Sequence, residues 1–203
     1  MDFPPIGLGT YELTDPDACE TAVATAVDGG YDHVDTAQGY DNETLVADGL
    51  ARAERDADDV FVATKLETGN LAYDDVLATA RESADRLGVD AIDLLYVHWP
   101  IDSYDAEETA RALNDLVAEG TVDRVGLSNF RPDQLDEARE HLDVEIFAHQ
   151  VECHPMLQQE ELREYAREDD HWLVAYCPIA RNQVADIDEI VAIADAHDAT
   201  PAQ

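Results

Sequence analysis

The chain has 203 residues, enough to bury one sizeable core as a single α/β domain over residues 1–203. Its 12 basic and 47 acidic residues give a formal net charge of −35, which argues against nucleic acid or an anionic membrane surface as a partner, since both demand basic patches. So acidic a chain is usually disordered, yet 45% of the residues are hydrophobic and strongly periodic, so a folded protein with a carboxylate-covered surface is expected.

Such a surface suits a molar-salt cytoplasm. At about 1 M salt the Debye length is roughly 3 Å, and most of the self-repulsion is screened. The cysteines, Cys19, Cys153 and Cys177, are odd in number and form no CxxC pair. With no apolar N-terminal signal-like stretch, they indicate a reducing, cytoplasmic setting. No apolar run approaches the ~18 residues needed to span a bilayer. Of the 12 basic residues, 11 are arginine, and Lys65 is the only lysine. A surface that has shed its lysines gives the remaining one a role to explain.

In chain order, an apolar run at Gly7–Thr10 precedes a helix opened by Asp15-Pro16, an N-cap followed by proline at the first helical position. Ala22, Val23, Ala26 and Val27 form its apolar face, and Gly29-Gly30 ends it. A second run, Asp32–Ala37, leads into a helix capped by Asn42 and running through Arg55. Val60–Lys65 is followed by a helix over Tyr73–Leu87, and Ile92–His98 by one over Ala106–Glu119. Arg124–Asn129 leads to a helix opened by Arg131-Pro132. Ile146–Val151 precedes Leu157–Glu168, and Trp172–Pro178 precedes Ile187–His197.

Most of the apolar runs are continuous and rich in Val, Ile and Leu, as in parallel strands covered on both faces. Repeated βα units imply right-handed crossovers and a parallel sheet. Seven such units without a break, and no G-x-G-x-x-G after any strand, favour an α/β TIM (β/α)8-type barrel over an open dinucleotide-binding sheet. Thr200-Pro201 reads as one more helix start, so we expect an incomplete barrel, truncated before its eighth strand and last helices. The open edges of such a barrel would favour self-association.

Functional groups of a parallel barrel sit where strands end at its C-terminal face. Asp35 ends the second run, Tyr40 lies in the loop after it, Lys65 ends VFVATK and His98 ends IDLLYVH. Singly, each has a plain structural explanation: a turn residue, a packing aromatic, a core histidine. Together they form a proton-transfer unit. Asp35 would keep the Lys65 ammonium charged, and a phenol beside that ammonium would release its proton more readily. His98 would hold the substrate oxygen.

The sequence resembles the aldo-keto reductases. The matching pieces are GLGT at Gly7, HVDTAQGYDNE at His33, VFVATK before Leu66 and DLLYVHWP at Asp93. RVGLSNF at Arg124, HQVECHP at His149 and LVAYCPIA at Leu173 complete the series, in the family's order along nearly the whole chain. The resemblance implies NADPH-dependent reduction of aldehydes or ketones on a TIM barrel without a metal, NADH being the other cofactor to consider. Tyr40 would be the general acid, Lys65 and Asp35 its tuning pair and His98 the orienter. By motif, Ser128, Asn129 and Gln150 would bond the nicotinamide carboxamide, and Tyr176 would stack on its ring. Thr10 and Cys177-Pro178-Ile179 would touch the ribose and pyrophosphate, and Tyr11 and Trp99 would line the substrate side. Two departures stand out. Cys177 occupies a place where the family usually has serine, and no counterpart of the family's lysine-serine and arginine segment for the adenosine 2′-phosphate is found. NADP preference therefore rests on the resemblance alone.

Two other readings remain. A metal-dependent hydrolase on the same barrel could draw ligands from His33, Asp35, His98, His149 and His154, but would leave the tyrosine and lysine without a role. A cofactor-binding or inactive aldo-keto reductase-like protein is the non-enzymatic reading.

Overall fold

The computed structural model describes residues 3–203. Two compact units follow one another along the chain, the first ending at Phe147 and the second comprising Ala148–Gln203.

In the first unit, strands β1 (Leu8–Gly9), β2 (His33–Asp35), β3 (Phe61–Leu66), β4 (Leu94–Val97) and β5 (Val125–Ser128) are parallel neighbours in chain order. Between them run α1 (Pro16–Asp28), α2 (Glu43–Arg52), α3 (Tyr73–Leu87) and α4 (Ala106–Glu119), with α5 (Pro132–His141) after β5. Every residue of β3, β4 and β5 is buried, as strands covered on both faces require.

Local chemistry sets the helix ends. Asp15 accepts a hydrogen bond from the Ala18 N–H at 2.9 Å, with Pro16 in the first turn. Asp105 accepts one from Glu108 at 2.9 Å to open α4. Gly88 and Gly120 stop α3 and α4 at φ of 69° and 81°, a left-handed conformation that glycine adopts without steric cost.

The alternation of side chains along each strand divides the core. On one face, Val34, Val60 and Val62 pack with Cys19, Val23 and Val27 of α1 and Val46 and Leu50 of α2. On the other, His33 and Phe61 precede Asp35 and Lys65 by two and four residues. They form an aromatic cluster in which the Phe3 ring lies 5.3 Å from His33, 5.2 Å from Phe61 and 5.3 Å from Phe147. The Arg124 guanidinium covers this cluster, 5.5 Å from the Phe61 ring and 5.2 Å from that of Phe147.

In the second unit, β6 (Ile146–Glu152, whose first two residues lie in the first unit) pairs in parallel with β7 (Trp172–Tyr176), from Ala148 opposite Trp172 to Glu152 opposite Tyr176. Helices α6 (Glu160–Glu168) and α7 (Asp188–Ala196) follow the two strands.

Two boundaries differ from the sequence expectation. Helix α2 stops at Arg52, because Glu54 and Arg55 leave it to donate backbone N–H bonds to Asp28 at 2.8 and 3.4 Å. Helix α6 begins at Glu160 instead of Leu157, because His154 and Leu157 pair backbone to backbone at 3.0 and 2.9 Å in a tight turn. Residues 200–203 form a turn in which Gln203 N–H donates to the Thr200 carbonyl at 3.0 Å and the Gln203 side-chain oxygen accepts from the Thr200 N–H at 2.8 Å. Among the described residues, no helix is long and apolar enough to cross a membrane.

Candidate active site

The ends of β2, β3 and β4 bring Asp35, Lys65 and His98 to one place. Lys65 is 1% exposed, and its ammonium donates to the Asp35 carboxylate. A second bond from Nζ reaches the Thr36 carbonyl at 2.8 Å. Nζ also lies 5.2 Å from the centroid of the Tyr40 ring and 6.0 Å from that of Tyr96, the residue registered opposite Lys65 on β4. A buried ammonium without partners would be very costly, so the carboxylate and carbonyl are what allow it here.

Tyr40 ends a 3-10 turn, Gln38–Tyr40, directly after β2. Its ring meets Tyr11 edge-on at 5.2 Å and His98 edge-on at 5.8 Å. Burial first, then the Lys65 charge, lowers the His98 imidazole to a pKa of about 4, with Asp35 opposing weakly. At neutral pH the ring is therefore uncharged and can give or take a hydrogen bond without carrying an extra proton. Tyr11 and Trp99 present large exposed aromatic surfaces, with 55% and 41% exposure; Tyr11 packs on Tyr40, and Trp99 follows His98 in the chain.

The residues expected to hold a cofactor fall into both units. In the first, Ser128 ends β5 buried, and Asn129 follows with φ of 63°. The Asn129 amide donates to the His98 carbonyl and to Ser128 Oγ, both at 3.0 Å, which joins this pair to the end of β4. Thr10 is fully buried, with its hydroxyl on the Asp35 carbonyl at 3.3 Å. In the second unit, Gln150 is buried on β6, and Tyr176 ends β7 with its phenol pushed up in pKa by burial. Cys177 turns left-handed there at φ of 49°, directing Pro178 and Ile179 out of the strand line.

Two of the histidines considered as metal ligands have other neighbours. His33 packs among aromatic rings, and burial lowers its pKa. His154 faces Glu152 at 3.2 Å. Among the described residues, no group of three or more His, Cys, Asp or Glu side chains is arranged to hold a metal ion.

Some neighbours of the site are not evident in the sequence. Tyr96 lies two residues before His98 on the same strand face, a spacing that could have pointed to it. The buried Glu43 carboxylate accepts from Thr64 at 2.6 Å, Ser83 at 3.2 Å and Arg86 Nε at 2.8 Å, behind the strand that carries Lys65. No local pattern announces those bonds, which join residues 21 to 43 positions apart.

Comparison with known proteins fits this geometry. The profile of the Aldo/keto reductase family matches residues 5–190. The chain belongs to that family. It is 32% identical over 204 residues to the glyoxal reductase of Bacillus subtilis, covering all of this chain and 73% of that protein. The structure of MGS-M4, an aldo-keto reductase enzyme from a Medee basin deep-sea metagenome library, superposes with a TM-score of 0.93 at 35% identity, over 99% of this chain and 75% of that one. A Gox0644 variant in complex with NADPH gives 0.89 at 36% identity, over 98% and 72%. The fold class is accordingly the α/β TIM-type barrel of the aldo-keto reductases, with seven strands and seven α-helices among the described residues.

Proposed function

We propose that this aldo-keto reductase is an NADPH-dependent carbonyl reductase that converts a small aldehyde or ketone to its alcohol, with Tyr40 as general acid. The observation that carries the reading is the buried Lys65 ammonium, fixed by Asp35 and the Thr36 carbonyl and set 5.2 Å from the centre of the Tyr40 ring. The glyoxal reductase relative supports a small aldehyde, and the NADPH-bound relative supports the cofactor.

The donor set fits a nicotinamide. The Ser128 hydroxyl and the Asn129 and Gln150 amides match the donors and acceptors of a carboxamide, and Tyr176 offers an aromatic face for stacking. Cys177, Pro178 and Ile179 stand beside Tyr176 in sequence for the ribose and pyrophosphate, with Thr10 the candidate after β1. When bound, NADPH supplies the hydride. The chain's own residues manage the proton. His98, uncharged at neutral pH, donates a hydrogen bond to the carbonyl oxygen and orients it. Tyr40 gives its phenolic proton to the oxygen as negative charge develops there, and Lys65 stabilises the phenolate left behind. Asp35 balances the ammonium so that the site carries no uncompensated charge in the ground state. Tyr11 and Trp99 bound the substrate side and restrict water.

Tyr40→Phe removes the proton and little else. With NADPH and glyoxal, kcat should fall by about 10²–10⁴, while nicotinamide binding followed by fluorescence stays within about twofold. Parental turnover in that variant would end the general-acid assignment.

A further inference from the structure

Asn42, two residues beyond Tyr40, is 1% exposed and stands at the N-cap position of α2 without capping it. An asparagine there would ordinarily contribute about 1 kcal/mol by bonding the helix N–H groups. Its amide is instead committed to three other points. Oδ1 accepts from the Thr36 hydroxyl at 2.7 Å, and Nδ2 donates to the carbonyls of Thr10 at 2.9 Å and Leu13 at 3.1 Å.

Each partner belongs to the surroundings of the phenol. The Thr36 carbonyl is the second anchor of Lys65 Nζ. The Thr10 N–H and hydroxyl both donate to the Asp35 carbonyl, at 3.0 and 3.3 Å. Tyr11, between Thr10 and Leu13, is the ring packed against Tyr40. The bonds close a circuit from Asn42 to Thr10, on to Asp35 and Thr36, and back to Asn42. The turn bearing Tyr40 lies across this circuit, held internally by bonds of 3.1 Å (Tyr40 N–H to Ala37) and 3.2 Å (Asp41 N–H to Gln38). Its first residue is fixed independently: the Gln38 amide donates to Thr79 and Ser83 at 3.1 Å each and accepts from the Glu67 N–H at 2.9 Å. The turn is thus tethered on both sides of the tyrosine.

We propose that Asn42 is a positioning residue for Tyr40: one buried amide fixes the ammonium side, through Thr36, and the ring side, through the Thr10–Leu13 loop, of the space the phenol occupies. The inference rests on the reading of Tyr40 as the acid.

Asn42→Asp tests it with almost no change of shape. The carboxylate still accepts from Thr36, but two donor bonds become contacts between oxygens; protonation restores one donor. At about pH 8, kcat with NADPH and glyoxal should fall roughly 10- to 100-fold while the KM for NADPH stays within about twofold. The deficit should narrow as the pH is lowered toward about 5 and the new carboxyl takes up a proton. In cofactor-free protein, amide hydrogen exchange over residues 10–14 and 36–42 should quicken about 10-fold, with α3 and α4 unchanged. Thr36→Val, which keeps the carbonyl on Lys65 and deletes only the hydroxyl, covers the case in which the first variant does not fold. It should show the same exchange pattern with a loss of kcat of a few-fold. Turnover within about twofold of the parent in both variants, a deficit of Asn42→Asp independent of pH, or exchange quickened evenly across the first unit would each overturn the proposal. Tyr40→Phe measured alongside separates the two failures: parental turnover there sinks the acid assignment, whereas the exchange pattern judges Asn42 without any catalysis.

Discussion

At the scale of single residues, the site depends on which groups burial leaves charged. Lys65 is almost inaccessible and keeps a carboxylate and a carbonyl in contact, whereas His98 is lowered to about 4. The sign follows from burial: removing water penalises imidazolium, and the nearby ammonium penalises it further. NMR titration of His98 should therefore show a midpoint about 4, far below that of a free imidazole. Because the unfolded ring binds a proton near its ordinary value, this histidine opposes folding as the pH drops through that window. A midpoint at the ordinary value would mean that water or an anion reaches the ring, and the orienting role would need revision. Asp35, Lys65 and His98 are legible in the sequence because each ends an apolar run, and position at a strand end implies direction. Asn42 is legible only as a cap. Its true partners lie 6 to 32 residues away, and an amide looks the same in sequence whether it bonds its own helix or a neighbouring loop.

At the scale of elements, strands and helices are recoverable because burial on both faces and glycine stops are local signals. Ends decided by competition are not. Leu157 continues an apolar pattern, but its backbone bonds to His154 hold it in a turn. The contact of α1 with α2 is another consequence of packing that composition conceals. Gly49 lies within α2, where alanine would be favoured by about 1 kcal/mol on propensity. A Cβ there would stand 2.7 Å from Val23 Cβ and 3.1 Å from the Glu20 backbone, so the helices would have to separate. Overpacking of this kind typically costs about 1–3 kcal/mol, which outweighs the propensity gain. Gly49→Ala should thus lower stability by about 1 kcal/mol in denaturant titration, although helix propensity alone predicts the opposite. A more stable variant would show that the α1–α2 contact yields easily.

At the scale of the whole molecule, the charge of −35 dominates the energetics outside the core. Most arginine ion pairs lie at the surface, such as Arg81 with Glu119 and Arg131 with Asp133, and pairs of that kind contribute little individually. They cannot offset so many like charges. We expect the melting temperature to rise steeply between millimolar and molar KCl; a melt unchanged over that range would show that the acidic surface is tolerated without counter-ions.

The aromatic cluster of Phe3, His33, Phe61 and Phe147 gives the Lys65–Asp35 pair a different relation to the medium. An ionic atmosphere cannot gather within an apolar plug, so dissolved potassium shields the exterior while the pair above the rings keeps nearly its full attraction. Brine would then govern how many molecules are folded, and leave the attraction between Lys65 and Asp35 in each folded molecule much as it is in dilute buffer.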